Sequence, residues 1–215
     1  MSGETDVLHD VRTSVASGEP TSAFWERAHA AEKRLWISGT DPLEIWARLT
    51  VMPLLRPGAR VLNIGVGTGA CTRALATGGM AVSVLDISRT ALEKVKDVAG
   101  GWLASELEAI PSRIFDVALS HLVAQHMNNA DLERQMRAVF RALKLGGIFA
   151  IHYVESFDGE DTHNETDEGV RAGGVLRSPA FFATMVQRSG GKVVWDQPRE
   201  KWGATWRVAH LTPAG

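Results

Sequence analysis

The stretch Val61-Leu62-Asn63-Ile64 followed by Gly65-Val66-Gly67-Thr68-Gly69-Ala70 constrains this chain more than any other. The first four residues read as a short buried strand. Three glycines in the next five positions read as a tight turn opening into a helix. A strand, a glycine turn and a helix in that order begin a βαβ unit, and such units build parallel sheets covered by helices on both faces. The following text keeps the rhythm. A helix is expected from Thr68 to Ala76, a strand from Ala81 to Leu85, and a helix from Ser88 to Val98, capped by Ser88 and closed by Gly100-Gly101. A weak strand follows at Trp102 to Ala104, a strand at Phe115 to Ser120, a helix at Asp131 to Leu143, and a Gly146-Gly147 turn into the strand Ile148 to Val154. After a helix from Ser178 to Gln187, Lys192 to Trp195 and Trp206 to Leu211 come with no helix between them, so they pair antiparallel at one sheet edge. The expected fold is α/β: a doubly wound, mainly parallel seven-stranded sheet with helices on both faces and an antiparallel C-terminal strand pair.

Ahead of this domain, Met1 to about Thr21 is polar without a clean period and reads as a mobile leader. Phe24, Ala28, Ala31 and Leu35 then recur at helical spacing. A second helix is signalled by Asp41 as N-cap, Pro42 at the first helical position, and Ile45, Leu49 and Met52, before Pro57-Gly58 ends it. The expected division is a cap over residues 1–56 and the α/β domain over 57–215. Composition narrows the function classes. The chain has 215 residues, 45% hydrophobic, enough for one sizeable core, and a net charge of −2. That balance gives no basic footprint for nucleic acid or a membrane surface. No apolar run reaches the roughly 20 residues of a spanning helix, and Met1 to Pro20 lacks the basic start and apolar stretch of a secretory signal. A single cysteine, Cys71, excludes an internal disulfide and a Cys-based zinc site. The expected location is the cytoplasm, with a small molecule rather than a nucleic acid or membrane as partner.

The glycine loop carries the chemistry. Gly65 and Gly67 remove side chains so that a nucleotide-like ligand can approach the backbone, and the helix starting near Gly69 points its free N–H groups at that ligand. Ligands of open parallel sheets bind there, at the carboxyl ends of the strands. Asp86, 21 residues past Gly65 and at the end of the second strand, suits the two hydroxyls of an adenosine ribose. Two readings remain open at this point, because Gly65-x-Gly67-x-x-Ala70 also satisfies the dinucleotide fingerprint of a nicotinamide-dependent oxidoreductase.

From Val61 to Tyr153 the chain resembles the class I S-adenosylmethionine-dependent methyltransferases. Gly65-Val66-Gly67-Thr68-Gly69 resembles their first motif, Leu85-Asp86-Ile87-Ser88 the acidic end of their second strand, Phe115 to Ser120 their fourth strand, and Leu143-Lys144-Leu145-Gly146-Gly147 the turn before their fifth. Asn63 stands where the family usually has an acidic residue, and Leu145 where it has proline. The resemblance implies S-adenosylmethionine as cofactor and S-adenosylhomocysteine as product. It implies cofactor contacts from Asn63, Gly65, Val66, Gly67, Asp86 and Ser120, with Ile87 as one adenine wall. It also implies Glu106, five positions before Pro111, as acceptor for the adenine amine and Leu107 against the ring. Trp36, from the N-terminal helices, would help cover the site.

Methyl transfer from a sulfonium is mostly alignment, with a base where the acceptor is a hydroxyl. Candidate bases are His121, directly after the fourth strand, and His152 with Tyr153 at the end of the fifth. His126 reads as packing. Residues 155–177 form a long acidic, glycine-containing connection that would, with Trp25 and Trp36, cover the active site. Asp158, Glu160, Asp161 and His163 within it read as a solvated charge run, not a metal site. The expected function is methylation of a small molecule (a metabolite, natural product or sugar) at oxygen. The alternatives are the nicotinamide enzyme and a non-catalytic module that kept the pocket.

Overall fold

The computed structural model describes residues 2–31, 41–156, 158, 160–201 and 204–215. Its sheet runs β3 (Gly100–Leu103), β2 (Ala81–Asp86), β1 (Arg60–Ile64), β4 (Phe115–Ser120) and β5 (Leu143–Glu155), all parallel. β9 (Ala204–Pro213) then adds antiparallel to β5, and β8 (Gly191–Lys201) antiparallel to β9 at the edge. These are the seven expected strands. Two more strands of two residues each extend the sheet at the end of β5: β7 (Leu176–Arg177) pairs parallel with Val154 and Glu155, and β6 (Thr162–His163) pairs antiparallel with β7. Strand order reverses beside β1, whose neighbours are β2 and β4, and that switch point opens the crevice in which such sheets hold ligands.

Helices cover both faces because the central strands are apolar on both. On one face α6 (Asn129–Ala142) and α8 (Pro179–Arg188) bury Leu132, Met136, Val139, Phe182 and Met185 against Leu62, Ile64, Ala118 and Ile151. On the other, α3 (Pro42–Arg48) and α4 (Ala70–Thr77) press Trp46 and Leu75 onto Val61, Val117, Leu119 and Val208. The sequence caps act as read: Asp41 accepts from the Leu43 and Glu44 amides, and Ser88 from the Ala91 amide of α5 (Arg89–Glu93). Leu145 stands out in solvent in the irregular start of β5, where the register against β4 shifts and Gly146 takes a left-handed φ of +78°.

Three local expectations are corrected. The supposed leader is a helix, α1 (Ser2–Ala16), because Val11 and Val15 fall on one face and meet Phe24, Trp25 and Ala28 of α2 (Thr21–Ala30) in a small separate core. Gly100 and Gly101 begin β3 rather than close α5. A Cβ on Gly101 would stand 2.2 Å from the Val84 carbonyl oxygen, so only glycine lets β3 lie this close to β2. The long connection after β5 is ordered around α7 (Asp167–Ala172), which packs against α1 and the short 3-10 turn Ala124–His126. Among its described residues none lines the crevice. No helix among the described residues is long and apolar enough to cross a membrane.

Candidate active site

A cavity of about 190 Å³ opens at the carboxyl ends of β1, β2 and β4. One water occupies about 30 Å³ of liquid, so this space is sized for an organic ligand. Its floor is the glycine loop. Gly65, Gly67 and Gly69 have φ of +80°, +57° and +86°, the left-handed region that side-chain-bearing residues avoid. The Gly65 amide donates to the Leu85 carbonyl (2.9 Å), and a Cβ on Gly65 would come within 2.4 Å of Val123. Gly65 therefore also lets the β4 side close over the loop.

Asp86 is the electrostatic centre of this half. Only 8% exposed, its carboxylate accepts from the Val66 amide (2.7 Å) through one oxygen and from the Ser88 amide (2.9 Å) through the other. Burial pushes its pKa up, against the pull of those donors and of His29. Both oxygens are fixed in place with lone pairs left over, the arrangement a ribose diol needs. Asn63, buried beside it, donates to the Thr72 hydroxyl (3.0 Å) and so ties β1 to α4 while lining the cavity. Val66 and Ile87 line it as well.

Other expected contacts fall elsewhere. Leu107 is in the core with Leu85 and Phe115, and Glu106 is exposed, accepting from the Leu103 amide (3.0 Å); neither lines the cavity. Ala104, at the end of β3, and Val123 stand there instead. The offset arises because the chain turns into the 3-10 segment Leu107–Ala109, which rolls Leu107 inward under the sheet end. Ser120 is fully buried in β4, and its side chain does not reach the cavity. Trp36 lies outside the described residues.

The opposite half is built from side chains. His121 lines the cavity, and its ring stacks on that of His152, centroids 5.1 Å apart and planes within 8°. Behind them His152 packs on Trp206 of β9 at 4.5 Å. Burial drives the His152 pKa down to about 3, with His121 and Arg48 adding to the effect, so its imidazole is neutral. Tyr153 is corrected. As the neighbour of His152 in a strand it points to the other face, where its ring stacks on Phe182 at 4.0 Å and its hydroxyl donates to Asp196 (2.8 Å). His126 both packs and lines the cavity. Its Nδ1 lies 3.1 Å from the Val170 carbonyl, its ring meets Trp25 edge-on at 4.9 Å, and burial lowers its pKa to about 4. Cys71 also lines the site, but burial pushes its thiol up to about 11, so it supplies no thiolate near neutral pH.

Reading the residues alone placed Trp25 over the site and missed the rest of its roof. α2 brings His29 beside Trp25, and α3 with its C-cap brings Ile45 and Leu49. The spacing of Ile45 and Leu49 stood in the sequence as a helix face. Nothing there marked His29.

A doubly wound sheet with a left-handed glycine cradle and an acidic second-strand end is the arrangement of the class I S-adenosylmethionine-dependent methyltransferases, and the comparisons place a methyltransferase domain within this chain. Residues 62–151 match the family model described as a methyltransferase domain. The malonyl-[acyl-carrier protein] O-methyltransferase of Salmonella typhimurium is 33% identical over 99 residues, 44% of this chain and 39% of that protein. The chain thus spans about two fifths of the length of the curated relatives it matches. Among solved structures, the Burkholderia thailandensis 1,6-didemethyltoxoflavin-N1-methyltransferase, with S-adenosylhomocysteine bound, superposes with a TM-score of 0.68 at 19% identity, over 90% of this chain and 87% of that one. The mitomycin 7-O-methyltransferase MmcR superposes with a TM-score of 0.63 at 21% identity, over 99% of this chain and 67% of that one.

Proposed function

We propose that this protein transfers the methyl group of S-adenosylmethionine to an oxygen of a small molecule. The observation that carries the reading is Asp86, a buried carboxylate anchored on both oxygens at the rim of the glycine cradle. In this reading Asp86 takes the ribose hydroxyls, and Gly65, Val66 and Gly67 offer backbone along the rest of the cofactor. Asn63 lies beneath, and Ile87, Ala104 and Val123 enclose the adenine. Residues 1–56 act as a cap, since α2 and α3 supply the roof; a roofed cavity of this size suits a small acceptor and excludes water from the reaction.

The sulfonium supplies an activated methyl group when the cofactor is bound. The chain contributes alignment and a proton acceptor. His121 holds the acceptor hydroxyl and takes its proton as the oxygen gains the methyl group, leaving S-adenosylhomocysteine. His152, neutral and stacked behind, fixes the plane of the His121 ring. Oxygen as the acceptor atom is supported by the two imidazoles and by the two relatives named as O-methyltransferases, while the toxoflavin enzyme is named for nitrogen.

Calorimetry with S-adenosylmethionine, S-adenosylhomocysteine and NAD tests the cofactor half. The first two should bind, NAD should not, and Asp86→Ala should weaken S-adenosylmethionine at least tenfold, about 1.4 kcal/mol. Unchanged affinity in a folded Asp86→Ala protein removes Asp86 from the site. Transfer of labelled methyl across a panel of phenols, sugars, carboxylic acids and amines tests the other half; turnover confined to amines overturns the oxygen assignment.

A further inference from the structure

α2 is fixed across the end of β2 by contacts that have nothing to do with its own core. Glu26 accepts from the Ser88 hydroxyl (2.6 Å), from the Thr90 amide (3.0 Å) and from the Thr90 hydroxyl. Burial opposes its ionisation, yet these donors hold its pKa below the usual carboxylate value. Lys94 of α5 donates to the carbonyl of His29 (3.3 Å). The helix is therefore clamped one turn before His29 and at the His29 carbonyl itself.

That side chain is 5% exposed and lines the cavity, and its Nδ1 has no hydrogen-bond partner among the described residues. Buried polar atoms in folded proteins are nearly always paired, so an orphan facing a ligand cavity marks a group whose partner arrives with the ligand. Burial lowers the pKa of this imidazole; Asp86 of β2 and Glu26 of α2 pull it back up, and Lys94 adds to the lowering. A largely neutral ring beside Asp86 adds no positive charge against a cationic cofactor and still has one nitrogen to donate and one to accept.

We propose that His29 is a cofactor-recognition residue carried by the cap, its Nδ1 hydrogen-bonding a polar group of bound S-adenosylmethionine next to the ribose that Asp86 takes. The assignment rests on the cofactor reading of this cavity. It makes α2 part of the binding site and not merely its cover. It also gives the Glu26 clamp a purpose, since a hydrogen bond of this kind works only if the helix cannot slide.

The test is calorimetry of S-adenosylhomocysteine binding to the full chain, with melting curves on the same preparations, for wild type, His29→Ala, His29→Asn, His29→Leu and Asp86→Ala. His29→Ala and His29→Leu should bind about tenfold more weakly. His29→Asn, which keeps a polar atom near the Nδ1 position, should bind within about threefold of wild type. If Ala folds poorly, Leu fills the space without a polar atom and its affinity is the one read. Affinity within twofold for Leu, alongside a tenfold loss in Asp86→Ala, overturns the proposal and leaves His29 a packing residue. Equal weakening in Leu and Asn overturns the hydrogen bond. Unchanged binding in both Leu and Asp86→Ala instead brings down the cofactor reading itself.

Discussion

On the β1–β2 side of the cavity the polar groups are mainly backbone amides with one carboxylate and one carboxamide, nearly all engaged: Gly65 with Leu85, Val66 and Ser88 with Asp86, Asn63 with Thr72. On the β4–β5 side they are imidazoles stacked on one another and on Trp206, with the Nδ1 of His152 lacking a partner among the described residues. The first side is made of local chain, a loop and the strand ends that flank it. It binds by geometry that main chain alone can hold. The second side is lined by Leu119 of β4 and by His121 and His126 after it, with His152 of β5 and Trp206 of β9 stacked behind and the roof from α2 and α3 above. The difference teaches that one half can stay the same while the other changes its acceptor, because no side chain of the acceptor half is needed to shape the cradle.

The contrast can be broken most severely at Gly67. Gly67→Val puts a β-branched residue at φ +57° and fills the cradle, so S-adenosylhomocysteine binding should fall more than a hundredfold, below detection by calorimetry. Normal binding by that variant would mean the loop is not the cradle. On the other side, His121→Ala should lower turnover about a hundredfold with cofactor affinity within a few-fold, the usual scale for losing a base. Near-normal turnover per folded molecule would leave alignment without a protein base.

Acid separates the two sides by the sign of their effect. His126 and His152 are held near pKa 4 and 3, while in the unfolded chain they titrate near about 6.5. As pH falls below that value the unfolded chain takes up protons that the folded state refuses, so stability is lost down toward pH 4, on the order of 3 kcal/mol for each of the two. Asp86, pushed up by burial, has the opposite slope. Melting temperature should therefore drop steadily from pH 7 to 4.5, and His152→Phe should flatten part of the drop. A profile equally steep in His152→Phe would assign the acid sensitivity elsewhere.

The smallest effect is expected at Tyr153. Tyr153→Phe loses the hydroxyl bond to Asp196 and should cost about 1 kcal/mol of stability with turnover within twofold, as suits a residue on the face away from the cavity. A large loss of turnover would return Tyr153 to the chemistry.

What was legible in the sequence is what short-range chemistry dictates. The glycine spacing after an apolar run, the carboxylate 21 residues on, and the alternation of strands with helices each depend on neighbours along the chain, and they gave the parallel sheet, the antiparallel tail and the cradle. Where local signals were ambiguous, packing decided. Val11 made a helix of the supposed leader only because Phe24 and Trp25 were there to cover it, and Gly100-Gly101 became strand because β3 must lie against Val84. Period two says that His152 and Tyr153 face opposite sides of β5, but not which side holds the cavity; that follows from where α8 and β9 pack. The meeting of Trp25 with His126, and of His29 with Asp86, joins residues far apart in the chain, through contacts that carry no period and no motif. The sequence by itself determined the fold class and the glycine cradle, because the strand, turn and helix signals that specify them lie within a few residues of one another, even though the strands then pair across long stretches of chain. Only the tertiary structure decided which side chains complete the site, because burial and proximity across the chain are properties of the packed whole.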